Sequence, residues 1–243
     1  MVTVLLTGRG ENTLKDKNLL NVLGHPVMYY PAIAGINART VDKLFVSSDD
    51  EKILDFAYKL GYESIKRPIE LALPTSQHED VIRHAINFMN KLQVYPEIIV
   101  VILANNISID AKWIDDCVNI MKKDMTITAV TPVYIDNDHH PLRAKKLDAN
   151  DHLIMFMQPN NEKISTNRQD LEDCYYFCHN FWVLNVQELL NEEANGQPPW
   201  RFMGNKVVPY ILEGSIDIHS EFDLRIAAEW LTFYDGKISK WKL

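Results

Sequence analysis

The segment Gly8-Arg9-Gly10-Glu11-Asn12-Thr13-Leu14-Lys15-Asp16-Lys17-Asn18 sets three cations, Arg9, Lys15 and Lys17, beside two glycines. A triphosphate needs this chemistry: clustered positive charge and backbone N–H groups that can be approached closely. Gly10 has no Cβ, so the backbone there can come near a phosphate. The segment is not a Walker loop, because G-x-x-x-x-G-K-S/T is absent, and it is not a dinucleotide fingerprint. On spacing alone, phosphate binding and an ordinary solvated basic loop both stay open.

Other reactive residue types are sparse. Three cysteines are present, Cys117, Cys174 and Cys178. Cys174 and Cys178 are spaced C-x-x-x-C, with no second Cys/His pair at zinc-finger spacing, and on an extended strand they would face one side. Core packing is the favoured reading. His139-His140 precedes Pro141 and reads as a loop rather than a metal site. Asp170, Glu172 and Asp173 read as a solvated surface. Trp200 to Gly204 follows Pro198-Pro199 and either covers a substrate pocket or packs.

These residues need a scaffold, and hydrophobic patterning supplies one. Residues 2–6 form an apolar run with β-branched members, ended near Gly8, which predicts a strand buried on both faces. Residues 27–36 read as a helix opened by Pro26. KLFVS (43–47) is a second strand. Ser48-Asp49-Asp50 offers N-cap chemistry to a helix with Ile53, Phe56, Ala57 and Leu60 at helical spacing, stopped by Gly61. Another helix starts at Thr75 or Ser76. IIVVIL (98–103) is the strongest buried strand, followed by a helix over 109–121 and a strand over 125–133. The alternation predicts a three-layer α/β domain with a largely parallel sheet. Such sheets bind ligands beyond the carboxyl ends of their strands, where Gly8, Ser47 and Ala104 all fall. Residues 134–174 are polar and aperiodic and read as an excursion from the sheet, a flap or dimerisation arm. Strands are expected again over 175–184 and 207–212. A final helix over 222–231 is expected to be capped by Ser220 with Asp223 at its third position.

The chain has 243 residues, 47% of them hydrophobic, enough for a large buried core. A net charge of −8 argues against a nucleic-acid scaffold, but a local basic loop can still hold one nucleotide. MVTVLLTGRG lacks the basic n-region of a signal peptide, and no stretch approaches the ~20 apolar residues of a membrane span. With few cysteines, odd in number, a soluble cytoplasmic protein is expected, with neither nucleic acid nor membrane as partner.

In order along the chain, these signals resemble the acylneuraminate cytidylyltransferases. That family includes the CMP-N-acetylneuraminate and CMP-legionaminate synthetases and, more distantly, the CMP-Kdo synthetases. The similarity covers most of the chain and is strongest in residues 2–90 and 205–232. The family's first loop, A-R-G-G-S-K-G followed by K-N, matches at Arg9, Lys17 and Asn18, while Thr13 stands in the register of its middle lysine and Lys15 is a candidate substitute. VSSDDEKILDFAYKLGYESIKRPIELA resembles V-S-T-D-D-x-x-I-A-x-x-A-x-x-x-G-A-x-x-x-x-R-P-x-E-L-A. This is the most specific match, and it carries Arg67 and Glu70. L-Q-P-T-S-P-L-R falls on residues 103–110, with Ala104 in place of the glutamine and Asn105 or Asn106 as candidate replacements. SIDIHSEFDLRIAAEWL resembles I-D-I-D-T-x-x-D-L-x-I-A-E, which places Asp217 at the first aspartate of a magnesium pair, His219 at the second and Asp223 at the third. His179-Asn180-Phe181 sits where the family has N-G-A.

The resemblance implies a single cytidylyltransferase domain over residues 1–243, with a three-layer nucleotidyltransferase fold, a mostly parallel mixed sheet and a protruding dimerisation segment at about 134–174. It implies transfer of CMP from CTP to an acidic nine-carbon sugar, by a homodimer using Mg2+. Arg9, Lys17 and Asp217 would carry catalysis, and Asp217 the metal. Gly8, Arg9, Gly10, Lys15, Lys17, Asn18, Arg67, Ala104 and Asn105 would contact the nucleotide, and His179, Asn180 and His219 the sugar. Magnesium prefers oxygen, so His219 would be a poor direct ligand. Histidine's unperturbed pKa near neutrality makes it a candidate base instead. The departures at Thr13, Ala104 and His219 motivate two rivals: a nucleotidyltransferase for another sugar or base, and a silent nucleotide-binding paralogue.

Overall fold

A computed structural model describes residues 1–157, 164–191 and 196–234. Residues 158–163 of the expected excursion lie outside the described residues. Strands are β1 (Val2–Thr7), β2 (Asn21–Val22), β3 (His25–Pro26), β4 (Lys43–Ser48), β5 (Glu63–Lys66), β6 (Ile98–Leu103), β7 (Ala129–Ile135), β8 (Lys145–Leu147), β9 (Leu153–Met155), β10 (Tyr175–Phe177), β11 (Phe181–Asn185) and β12 (Val207–Ile211). Helices are α1 (Tyr29–Asn37), α2 (Glu51–Lys59), α3 (His78–Lys91), α4 (Ala111–Lys123), α5 (Val186–Leu190) and α6 (Glu221–Tyr234).

The main sheet runs β10-β7-β11-β6-β1-β4-β5, with β12 also on β7. β1 lies inside the sheet, parallel to its neighbours β4 and β6, so Leu5 is opposite Phe45 on one side and Val101 on the other. β4–β5 and β7–β12 are parallel too, whereas β11 runs antiparallel to β6 and β7, and β10 antiparallel to β7. Alternation along the pleat splits the core in two. Val4, Leu6, Val46, Val100 and Ile102 pack with Ala32, Ile53, Ala57, Ile114 and Met121 from α1, α2 and α4. Leu5, Phe45, Val101 and Trp182 pack with Ile82, Ile86 and Met89 from α3. Every residue of β1 and β6 is buried, which explains their unbroken apolar runs. The result is the expected three-layer α/β arrangement around a mixed sheet.

Element ends differ from expectation for local reasons. α1 starts at Tyr29 because the N–H groups of Val27 and Met28 donate to the carbonyls of Leu20 and Asn18, each at 2.9 Å. α3 starts at His78 because Ser76 is used in the preceding turn, its Oγ donating to the Glu70 carbonyl at 2.8 Å. α4 starts at Ala111, where the Asp110 carboxylate accepts the Lys112 N–H at 2.6 Å. β7 starts only at Ala129, after a turn in which Asp124 accepts from the N–H and hydroxyl of Thr126. The expected strand over 175–184 is two strands, β10 and β11, broken at His179, whose φ is 49°. That left-handed value is unusual for a residue with a Cβ. At the last helix, Asp223 accepts the Ser220 N–H at 2.7 Å while Ser220 Oγ accepts the Asp223 N–H at 3.4 Å, the reciprocal pattern expected there. Between β7 and β10 the chain leaves the main sheet, and β8 and β9 pair only with each other. Among the described residues no helix is long and apolar enough to cross a membrane.

Candidate functional site

The carboxyl ends of β1, β4 and β6 converge. Gly8 N–H donates to the Ser47 carbonyl at 3.3 Å, and Ala104 N–H to the Thr7 carbonyl at 2.9 Å. Beyond them opens a cleft of about 280 Å³. Gly8, Arg9, Lys17 and Asn18 line it from the first loop, Arg67 from the turn after β5, Asn105 from the turn after β6, and Asp217 and His219 from the strand-like segment before α6. Residues some two hundred positions apart thus share one wall: Lys17 Nζ donates to the Ile218 carbonyl at 3.0 Å.

Arg67 is buried and anchored, with Nε on Ser47 Oγ at 3.2 Å and Nη2 on the Ser47 carbonyl at 2.7 Å. Burial pulls its pKa down to about 10, against the opposing charge of Asp49, so it stays cationic at neutral pH. Lys17 is also lowered, chiefly by burial and to a smaller extent by Arg9, while Asp217 and, less strongly, Asp223 hold it up. Asp217 is raised by burial, with His219 and Lys17 opposing. Its Oδ1 accepts from Asn105 Nδ2, and its Oδ2 is 3.0 Å from His219 Nε2. The cleft therefore holds positive charge in a partly desolvated setting, where attraction for an anion is stronger than in water.

Asn18 is buried, donating Nδ2 to the Arg9 carbonyl at 3.1 Å, while its Oδ1 has no hydrogen-bond partner among the described residues. The second loop asparagine, Asn106, is fully buried and turns inward, donating to the Cys178 carbonyl and accepting from Ser108, so only Asn105 faces the cleft.

Five expected contact residues stand elsewhere. Ala104 is fully buried, and a Cβ placed on Gly8 would meet its Cβ at 3.0 Å; it packs beneath the loop instead of facing the cleft. Asn180 is fully buried and structural: Nδ2 donates to the Ser108 carbonyl at 3.0 Å and Oδ1 accepts the Phe181 N–H. Lys15 and Gly10 line a separate outer chamber with Asp49 and Asp50, across the loop from the cleft. His179 packs its ring against Phe177, Trp182 and Trp200 and is within electrostatic reach of Asp217.

Sequence reasoning missed the wall from Leu71 to His78. Ser76, Gln77 and His78 line the cleft opposite Arg9. His78 opens to solvent on the cleft side, and its ring meets Trp182 edge-on, with centroids 5.3 Å apart. Burial, then Arg67, His179 and Arg9, lower its pKa, so it is neutral at pH 7. The available signal was its place at the head of a helix just after the Arg67 turn. Among the described residues no group of three or more His, Cys, Asp or Glu side chains is arranged to hold a metal.

The fold is that of a nucleotidyltransferase-type α/β protein, with a cleft at the strand ends that gathers Arg9, Lys17 and Arg67. One solved structure of this kind is CMP:2-keto-3-deoxy-manno-octonic acid synthetase complexed with CTP, with a TM-score of 0.69 at 12% identity, covering 96% of this chain and 98% of the other. Another is 4-diphosphocytidyl-2C-methyl-D-erythritol synthase of Anaerococcus prevotii, with a TM-score of 0.62 at 13% identity, covering 95% and 96%. At those identities the likeness concerns the fold. A family model described as cytidylyltransferase matches residues 10–177, more than half the chain, and the chain belongs to that family. Curated relatives include the N-acylneuraminate cytidylyltransferase of Escherichia coli, 25% identical over 87 residues, 36% of this chain and 21% of that protein. The pseudaminic acid cytidylyltransferase of Campylobacter jejuni is 28% identical over 91 residues, 37% of this chain and 39% of that protein. These alignments span well under half the length of either relative.

Proposed function

We propose that this chain transfers CMP from CTP to a sialic-type nonulosonic acid, giving a CMP-sugar and pyrophosphate. The observation that carries the reading is the meeting of Arg9, Lys17 and Arg67 in one cleft with Asp217. Two anions, a triphosphate and a sugar acid, must approach each other for this reaction. Their repulsion is a large part of the barrier, and fixed cations lower it without reorganising. Arg9 and Lys17 take the phosphates, and Arg67, held by Ser47, lies toward the base. Asn18, whose Oδ1 has no hydrogen-bond partner among the described residues, would contact the nucleotide from the same loop.

The attacking anomeric hydroxyl displaces pyrophosphate from the α-phosphorus. Its proton goes to His219. The Asp217 carboxylate accepts from His219 Nε2 at 3.0 Å, which leaves Nδ1 able to take that proton. Asp217 would be the residue that holds a magnesium ion, since such ions commonly use one or two carboxylates together with substrate phosphates. His219 does not fit as a ligand. When bound, the ion supplies charge neutralisation at the triphosphate. A homodimer formed through the segment carrying β8 and β9 and a cytoplasmic location complete the proposal.

The experiment is a pyrophosphate-release assay with CTP, UTP, GTP and ATP against a panel of nonulosonic acids, with an eight-carbon keto-acid sugar and methylerythritol phosphate included. Release with CTP and a nine-carbon acid is expected. Turnover only with another acceptor would overturn the sugar assignment, preference for another base would overturn the CTP assignment, and nucleotide binding without turnover would identify a silent paralogue.

A further inference from the structure

Arg9 sits between two glycines whose N–H groups are captured by the last residues of β4 and the turn that follows it. Gly8 N–H donates to the Ser47 carbonyl at 3.3 Å, and Gly10 N–H donates to Asp49 Oδ1 at 3.0 Å. The Arg9 carbonyl is fixed as well, accepting from Asn12 Nδ2 at 2.8 Å and Asn18 Nδ2 at 3.1 Å. The loop lies so close to the turn that a Cβ on Gly10 would stand 2.9 Å from Asp50 Cβ. Asp49 lies outside the cleft, in the outer chamber beneath the loop. Its own backbone is pinned by Lys66 Nζ, which donates to the Asp49 carbonyl at 2.8 Å.

We propose that Asp49 is a positioning residue for nucleotide binding, setting the Arg9 loop against the end of β4 through its hydrogen bond to Gly10 N–H. Two residues before Asp49, at the end of β4, Ser47 anchors Arg67, so one short segment registers the phosphate-side and base-side cations relative to each other. A flexible glycine loop without that hydrogen bond to Asp49 would have to be ordered by the ligand at each binding event. The role rests on the CTP-dependent reading above only for its catalytic consequence. The loop contact itself is independent of it.

The test compares Asp49→Asn with Asp49→Ala in the full chain. Asparagine keeps an oxygen acceptor for Gly10 N–H, whereas alanine removes it. Gly10 amide exchange, followed by NMR, should quicken about tenfold in the alanine variant and stay near wild type with asparagine, on the scale of one hydrogen bond. The kcat/KM for CTP should fall about tenfold in the alanine variant, mainly through KM, and recover with asparagine. Unchanged Gly10 exchange in Asp49→Ala overturns the proposal. Equal damage in both variants also overturns it, because the charge beside Arg67 would then be what matters. If wild type neither binds nor turns over CTP, the functional reading fails while Gly10 exchange still decides the role of Asp49. If the alanine variant does not fold, exchange and CTP KM in the asparagine variant decide alone: near-wild-type values support the proposal and damaged ones overturn it.

Discussion

Arg67 holds Ser47 with two donors at once, Nε to the hydroxyl at 3.2 Å and Nη2 to the carbonyl at 2.7 Å. The same carbonyl accepts Gly8 N–H from the loop that carries Arg9. A planar fork is needed for that pair of contacts, so lysine cannot replace arginine here. Arg67→Lys should weaken CTP binding about 10-fold or more, the scale of one lost charge-assisted hydrogen bond. Titration calorimetry with CTP checks this. An affinity equal to wild type would mean that the arginine serves packing and not the nucleotide.

Arg9→Ala and Asp217→Asn should each lower turnover by roughly 10²-fold, as expected for loss of one electrostatic contact in a partly dry site. Arg9 lines the cleft, and its removal leaves the Asn12 side chain without its Nε contact at 3.4 Å but breaks no buried network. Asp217→Asn keeps the shape and loses the charge facing Lys17 and His219. Steady-state pyrophosphate release is the measurement, and full activity in both variants would dismiss this site assignment.

The scaffold was largely legible because β1 and β6 are buried on both faces and carry continuous apolar runs, while α2, α3 and α4 show one apolar stripe each. The loops after β1, β4 and β6 could be foreseen in one place because strand ends in a parallel sheet share an edge, whereas Arg67 and Asp217 were joined to them by the resemblance to the acylneuraminate cytidylyltransferases. Asn106 and Asn180 could not be sorted from Asn105 in advance. A loop asparagine reads as exposed until the neighbouring loop, here around Ser108, buries it and takes its hydrogen bonds. His78 was hidden for a related reason. Its helix begins later than the Thr75-Ser76 signal, so its place on the cleft wall depends on a turn held by Ser76 and Glu70.

Burial makes two of the cysteines poor nucleophiles. Cys178 is pushed up to about 12, and Cys117 is raised further, in both cases chiefly by loss of solvent. Cys174 is partly exposed. Iodoacetamide at pH 8 should therefore label Cys174 in the native protein and reach Cys117 and Cys178 only after denaturation. Mass spectrometry of tryptic peptides reads the pattern, and native labelling of Cys178 would contradict its buried position beside the cleft.

His78 should make both stability and nucleotide binding depend on pH. Its folded pKa lies below the ordinary 6.5, because burial disfavours the cation and Arg67, His179 and Arg9 repel it. A depressed value means that the unfolded chain takes up a proton first as pH falls. Stability is therefore present above about 6.5 and declines as pH drops toward the folded value. His84 and His179 are lowered as well, so the difference between wild type and His78→Gln isolates the effect. The urea midpoint of wild type should fall more steeply than that of the variant on acidification from pH 6.5. A bound triphosphate works in the opposite direction, since its charge favours the imidazolium. CTP binding below pH 6.5 should then be accompanied by proton uptake, seen by calorimetry in buffers of different ionisation enthalpy, and the uptake should shrink in His78→Gln. Identical uptake in the two proteins would place His78 out of reach of the phosphates.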